Sequence, residues 1–348
     1  MHLDISGRKI GSDFEPLIIA EIGINHNGSL KVAKDMVDSA FLAGAEIIKH
    51  QTHVVDDEMS PEAKKVVPGN AEISIYEIIK ACALSEGDEY ELMKYVESKG
   101  MIFLSTPFSR AAANRLERFG VQAYKIGSGE LNHYPLIEHV ASFGKPMIIS
   151  TGMNGIDAIK KTVNIVRSKG VQFALLHTTN LYPTLPEYVR LGAMLEMHDA
   201  FPDVPYGLSD HTTNNNAALA AVALGASIIE RHFTDSMTRP GPDIVCSMDK
   251  SSCSDLIKSS REIYRMRGGK KNAALEEKIT MDFAFSTIVS IEPIKKGECF
   301  TKENIWAKRP GTGELKAERF FDLLGRRSAI DIPNNTHLSV KMVEGYIA

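Results

Sequence analysis

Residues 16–23, PLIIAEIG, followed by residues 29–45, SLKVAKDMVDSAFLAGA, set the reading of this chain. The first stretch is a continuous apolar run of strand length that ends on Glu21. The second repeats its apolar residues at helical spacing, with Ser29 placed to cap the start and Gly44 to end it. Together they predict one βα unit. Seven further strand candidates follow: EIIKHQ, MIFLSTP, AYKIGSG, PMIIST, FALLHTT, PYGLSD and SIIERHF, most separated by helix-length segments such as YPLIEHVASFG and NNNAALAAVALGA. Eight βα units ahead of Arg267 predict an α/β protein built on a TIM (β/α)8 barrel, which typically takes ~250 residues. The rival doubly wound sheet would carry a Gly-rich dinucleotide fingerprint after the first strand, and none is there.

The connection running from His53 through DEMSPEAKKVVPGNAEISIYE is unusually long, and a loop of that size is expected to serve the site as a lid. Around residues 267–278, RGGKKNAALEEK, the chain turns Gly- and charge-rich, and short apolar pieces separated by turns follow. The expected organisation is a barrel over 1–267, a linker over 268–281 and a small, mostly β module over 282–348. Such a module has a modest core and is expected to pack on something larger.

The 348 residues carry 40 Lys+Arg against 44 Asp+Glu, a net charge of −4, so no basic surplus points to nucleic acid or an anionic membrane. No run approaches the ~20 apolar residues of a membrane span, and the opening MHLDISGRKI has charges where a signal peptide needs its apolar centre. A cytoplasmic location is expected. Four scattered cysteines, Cys82, Cys246, Cys253 and Cys299, form no CxxC pair and read as reduced structural thiols.

In a barrel the chemistry sits at the carboxyl ends of the strands. Here the eight tails carry Glu21; Lys49 and Gln51; Thr106; Lys125 with Ser128 and Glu130; Ser150; Asn180 with Tyr182; Ser209 with His211; and His232. A lone Ser or Thr after a strand is usually a helix cap and a lone Lys is usually solvated, but eight polar ends together point to a site. His211 and His232 end neighbouring strands, spaced about 5 Å apart, so two imidazoles can share a divalent metal and leave coordination positions open for substrate or water. Lys49, Lys125 and Arg110, with the hydroxyls of Thr106, Ser128 and Ser150, suit a small di- or trianion. For Arg110 a surface ion pair is the stronger reading. Lys125 has a second reading as a Schiff-base lysine whose pKa the barrel interior depresses. Glu21 and Glu130 are candidate acid/base or sugar-binding carboxylates.

The ordered motifs EIGINHNGSL, KHQTH, PGNA, SIYEI, STPFSR, YKIGSGE, STGMN, HTTNLYPT, GLSDHT, ERHFTD and GPDIVCSM resemble the bacterial N-acetylneuraminate (sialic acid) synthases. IKKGE and AKRPG resemble that family's C-terminal antifreeze-like (SAF, β-clip) domain. The resemblance implies a manganese-dependent condensation of phosphoenolpyruvate with the open-chain aldehyde of N-acetylmannosamine. It implies that His211 and His232 hold the metal, and that Lys49, Thr106, Lys125, Ser128, Ser150, Asn180 and Ser209 hold phosphoenolpyruvate. Gln51, Asn70, Glu130, Tyr182 and Asp243 would surround the sugar. It implies a homodimer in which the SAF domain caps the partner's barrel, bringing Arg309 to the N-acetyl group and Phe283 as an apolar wall.

The family's SGECNNYPL reads SGELNHYPL here, with Leu131 and His133 beside Glu130, which leaves the choice of sugar open toward 6-deoxy diacetamido hexoses. The first two motifs of the legionaminic and pseudaminic acid synthases differ from those found here. A Schiff-base aldolase using Lys125, or a non-catalytic sugar- or ice-binding protein built on the last module, are the alternatives. The second leaves the eight polar strand ends unexplained.

Overall fold

The computed structural model describes residues 2–68 and 72–347. The chain divides into two compact units, residues 1–268 and 269–348.

In the first unit eight parallel strands close into a barrel: β3 (Leu17–Gly23), β4 (Ile47–Thr52), β5 (Ile102–Pro107), β6 (Tyr124–Ile126), β7 (Met147–Ser150), β8 (Phe173–Thr178), β9 (Tyr206–Asp210) and β10 (Ile228–His232), with β10 pairing back onto β3. The expected TIM barrel is therefore present, each strand candidate in its place. Ser29 caps the helix Leu30–Ala43 by accepting from the Val32 amide, and Gly44 ends it at φ 91, a left-handed conformation that a side chain would strain. Ser109 and Gly120 frame the helix Arg110–Phe119 in the same way.

Alternation along the strands sorts the core into two layers. Outward residues such as Ile18, Ile48, Tyr124, Ile149, Leu175 and Ile229 pack against the helices. Inward residues at the strand starts, among them Leu17, Ile19, Ile47, Leu104, Ile148 and Ile228, fill the lower barrel. Leu3, Ile5 and Ile10 join that inner cluster. They come from an N-terminal hairpin, β1 (Leu3–Ile5) and β2 (Arg8–Ile10), turned at Ser6–Gly7 with φ 53 and 84. This hairpin, absent from the sequence reading, plugs the bottom of the barrel. Apolar filling below leaves the inward positions at the strand tails for polar groups.

The long connection after β4 is largely ordered in its described parts, with a helix Val55–Glu58, a 3-10 turn Pro61–Lys65 and a helix Ile75–Cys82. All four cysteines are free, and burial pushes the Cys246 and Cys253 thiols up to about 12, so they stay neutral.

The second unit opens with a 3-10 turn Leu275–Glu277 and a helix Lys278–Ala284, so a helix spans the point where the module was expected to begin. Strands β11 (Thr287–Ser290) and β12 (Ile305–Lys308) pair antiparallel, and isolated bridges tie the turns around them. Its own small core includes Ile288, Phe300, Ile305, Leu315, Leu323 and Leu338.

Candidate active site

A cavity of about 180 Å³ opens at the carboxyl ends of the barrel strands. Fourteen of the residues assigned to the site from sequence line it: Glu21, Lys49, Gln51, Thr106, Lys125, Ser128, Glu130, Ser150, Asn180, Tyr182, Ser209, His211, His232 and Asp243. Period-two alternation puts Glu21, Lys49, Gln51, Thr106, Lys125, Ser150, Ser209 and His232 on the inner face above the apolar layer, while loop residues complete the rim.

Lys49 and Lys125 are both buried at the centre. Lys49 Nζ is bonded to the Glu21 carboxylate and lies 3.7 Å from Glu230 Oε1. Lys125 Nζ donates to Ser150 Oγ at 2.6 Å and lies 3.4 Å from Glu230. Burial lowers both ammonium groups, but at Lys49 the carboxylates of Glu21 and Glu230 reverse the effect and leave it raised. At Lys125 burial prevails, opposed by Glu230 and reinforced by the charge of Lys49, so its net shift is downward. Glu21 is pushed up by burial, yet His232, Lys49 and the Gln51 amide bring it well below the usual carboxylate range.

Sequence reasoning missed Glu230, Thr178 and Phe108, which also line the cavity. Glu230 was in reach: His232 faces inward, and the residue two positions earlier on the same strand must share its face. Ser209 Oγ donates to Glu230 Oε1 at 3.0 Å, so this carboxylate links a hydroxyl and both lysines.

The histidine pair is assembled as expected, with ring centroids 5.4 Å apart. His211 Nδ1 donates to the Thr179 carbonyl at 2.9 Å, which fixes the tautomer with a free lone pair on Nε2. Burial and the neighbouring His232 push His211 down to about 3, holding it in the neutral form that ligates metal. His232 has a buried Nδ1 without a hydrogen-bond partner, and its ring nitrogens lie 3.7 Å from Glu21 and 3.8 Å from Asp243. Tyr182 stacks on His211 at 4.2 Å. These donors fit a divalent ion. Among the described residues no cluster of three or more His, Cys, Asp or Glu is ready-made, so water or substrate would complete the shell, as in an open catalytic site.

Buried polar atoms without partners converge on this cavity: Thr106 Oγ1, Asn180 Oδ1, Glu130 Oε2, Glu230 Oε2 and His232 Nδ1. Since buried polar groups are almost always paired, such a concentration marks a place built for a polar ligand. A Cβ on Gly152 would collide with Asn180 Oδ1, so only glycine lets that amide sit where it does.

Glu130 is pushed up to about 7, chiefly by burial and also by the charge of Glu58, against its own backbone amide and the two lysines. Between about pH 4.5 and 7 the unfolded chain is ionised here while the folded chain keeps the proton, so stability falls as pH rises through that window. Glu130→Gln is expected to flatten this slope, by at most about 3 kcal/mol. Melting temperatures of the two proteins across pH 5–8 check it.

The remaining assignments fall elsewhere. Arg110 is exposed at the start of its helix and lines a neighbouring cavity instead of this one, consistent with a surface role. Asn70 lies outside the described residues. Arg309 and Phe283 are exposed on the second unit. Neither of the departures beside Glu130 lines this cavity. Leu131 is fully buried in the outer core, and His133 caps the helix Tyr134–Ala141 by accepting from the Leu136 amide at 3.3 Å, a task asparagine also performs. Direction, which adjacency in sequence does not give, takes Leu131 out of the cavity, whereas His133 lines the neighbouring cavity that shares Phe108 and Glu130 with this one.

Fold and site together define a TIM-barrel protein with a cavity lined by two lysines and a histidine pair at its strand ends, followed by a small β module. Residues 36–272 match the NeuB family and residues 286–344 the SAF domain, and the chain belongs to the NeuB family. It is 34% identical to the N,N'-diacetyllegionaminic acid synthase of Campylobacter jejuni, over 89% of this chain and 95% of that one. It is 31% identical to the human N-acetylneuraminate-9-phosphate synthase, over 98% and 96%. The crystal structure of N-acetylneuraminic acid (sialic acid) synthetase from Leptospira borgpetersenii in complex with citrate superposes with a TM-score of 0.74 at 28% identity, over 81% of this chain and 95% of that one.

Proposed function

We propose that this chain condenses phosphoenolpyruvate with N-acetylmannosamine and water, giving N-acetylneuraminate and phosphate. The observation that carries the reading is the pairing of two buried lysines with converging, unpartnered polar atoms at the strand ends, a donor set for a ligand with two anionic ends. Lys49 and Lys125, with Thr106, Ser128, Ser150, Asn180 and Ser209, would hold its phosphate and carboxylate. Gln51, Asn70, Glu130, Tyr182 and Asp243 would surround the sugar. Manganese is the expected divalent ion; His211 and His232 would hold it, and when bound it supplies Lewis-acid polarisation of the aldehyde.

In this scheme C3 of phosphoenolpyruvate forms a bond to the aldehyde carbon, whose oxygen takes up a proton. Positive charge at C2 is met by the carboxylates of Glu21 and Glu230. Water adds at C2 with Glu21 taking one proton, and the tetrahedral intermediate collapses to the keto group as its C2 hydroxyl gives its remaining proton to the phosphate leaving by C–O cleavage, while the lysines offset the departing charge. With water labelled in oxygen, the label is expected at C2 of the product; label in phosphate would replace C–O by P–O cleavage.

The test is phosphate release by metal-stripped protein, with manganese restored, in parallel on N-acetylmannosamine and a 6-deoxy diacetamido hexose, products identified by mass. Release only with metal and N-acetylmannosamine is expected. Preference for the diacetamido sugar would move the chain to the legionaminic branch and keep the chemistry. Borohydride with pyruvate is expected to trap nothing on Lys125; an adduct would favour the Schiff-base reading that its lowered pKa invites.

A homodimer belongs to the same proposal, with the SAF domain capping the partner's barrel and Arg309 and Phe283 acting there. Their exposure in the single chain supports it. Mixing Arg309→Ala with His232→Ala chains is expected to recover part of the activity in heterodimers; no recovery would place Arg309 in cis or outside the site.

A further inference from the structure

Behind the cavity a chain of side chains runs from the long connection into the site. On the inner face Gln51 Nε2 donates to Glu21 Oε1 at 2.9 Å. The other end of the same amide, Oε1, lies 3.2 Å from His53 Nε2, and His53 Nδ1 lies 2.8 Å from Glu58 Oε2. The orientation is determined: turning the Gln51 amide over would set its oxygen against the Glu21 carboxylate, so Nε2 faces Glu21 and His53 Nε2 must donate to Oε1. The imidazole is itself locked, 5% exposed and stacked on Phe108 at 4.4 Å and 16°, and Phe108 lines the cavity.

Glu58 ends the helix Val55–Glu58, which is fixed from two sides. Asp57 Oδ2 accepts from the Ala111 amide at 2.8 Å, and Asp56 Oδ1 accepts from the Tyr76 hydroxyl at 2.8 Å. The long connection therefore reaches the sugar end of the site through hydrogen bonds, and His53 is the link.

We propose that His53 is a positioning residue that fixes the amide of Gln51 for sugar recognition and couples the ordered start of the long connection to that end of the site. This rests on the reading given above for Gln51. His53 does not itself line the cavity, so it acts through Gln51, whose amide faces the site. An aromatic ring in its place keeps the stack on Phe108 and removes only the donor.

The test is a double-mutant cycle on full-length protein with manganese and saturating phosphoenolpyruvate, using wild type, His53→Phe, Gln51→Ala and the double variant, with sugar concentration varied. His53→Phe is expected to raise the sugar KM about tenfold, the scale of one oriented hydrogen bond to a polar ligand, and a second titration, varying phosphoenolpyruvate at saturating sugar, is expected to show a smaller change in the phosphoenolpyruvate KM. In the Gln51→Ala background the same change is expected to add nothing. His53→Gln, whose amide nitrogen reaches the position of the ring Nε2, is expected to restore most of the affinity, and it serves as the reporter should His53→Phe melt early. Full additivity of the two changes, an unchanged sugar KM in His53→Phe, or no rescue by His53→Gln overturns the proposal. The cycle runs on whichever acetamido sugar the wild type accepts. Wild type inert toward every sugar sinks the functional reading and this one with it, whereas active wild type with an indifferent His53→Phe sinks only this one.

Discussion

Lys49→Met is expected to abolish phosphate release, lowering kcat/KM by at least about 10³-fold, and to destabilise the barrel as well. Lys49 is the cation to which both central carboxylates turn: it is bonded to Glu21 and lies 3.7 Å from Glu230 Oε1. Removing one partner of a buried ion pair leaves the other uncompensated, at a cost of about 3–5 kcal/mol. Methionine matches the length and volume of the side chain, so the loss is of charge and not of packing. For activity the consequence is compound. The ligand loses a cation, and the Glu21 carboxylate, left without its lysine while Glu230 keeps only Lys125 at 3.4 Å, repels any incoming anion, an interaction strengthened by the dry surroundings. Excess metal or sugar would not restore turnover, because neither replaces a positive charge at that point. The measurements are phosphate release under saturating substrates and chemical denaturation at pH 7. A variant that keeps wild-type phosphoenolpyruvate KM would remove Lys49 from the anion site.

How much of this was legible in the sequence follows from what each residue needed in order to be found. The barrel was legible because each strand carries its own apolar run and most helices carry their own caps, as Ser29 and Gly44 do. The inner ring of polar residues was legible for the same local reason, since the tail of a barrel strand must face the mouth. Glu230 was hidden only by reading the strand from its last residue, although its parity with His232 already placed it inside. The hairpin β1–β2 was not legible, because three-residue strands carry too short a pattern. Asp243 comes eleven residues after the end of β10, in a loop whose path no periodicity specifies, so it entered through family resemblance alone. Leu131 and His133 were placed near the ligand by adjacency, whereas Leu131 is buried in the outer core and His133 caps a helix at the edge of the neighbouring cavity. His53 lies one alternation past Gln51 and was quoted only as part of a motif; its bond to Gln51 is a matter of rotamers that sequence does not carry.

Glu230→Gln is the complementary experiment to Lys49→Met, because it removes the negative charge and leaves both lysines. Lys125 is already lowered by burial and by the charge of Lys49, with Glu230 its largest support. Without that carboxylate the pKa of Lys125 falls further, so the uncharged amine forms at lower pH than in wild type, where an anion should bind. The sign follows directly: the neutral amine is the minority form at low pH and the majority form at high pH, so lowering pH restores the cation. Glu230→Gln is therefore expected to raise the phosphoenolpyruvate KM by about 10²-fold, with the loss greatest at high pH, shrinking as pH falls, and more steeply pH-dependent than in wild type. Glutamine keeps the acceptor for Ser209 Oγ, so folding is expected to survive. The profile also separates two roles for the carboxylate. If Glu230 only steadies Lys125, kcat recovers along with KM as pH falls. If it also meets the charge that develops at C2, kcat stays low at every pH while KM recovers, and the residue that the strand tails concealed becomes part of the chemistry.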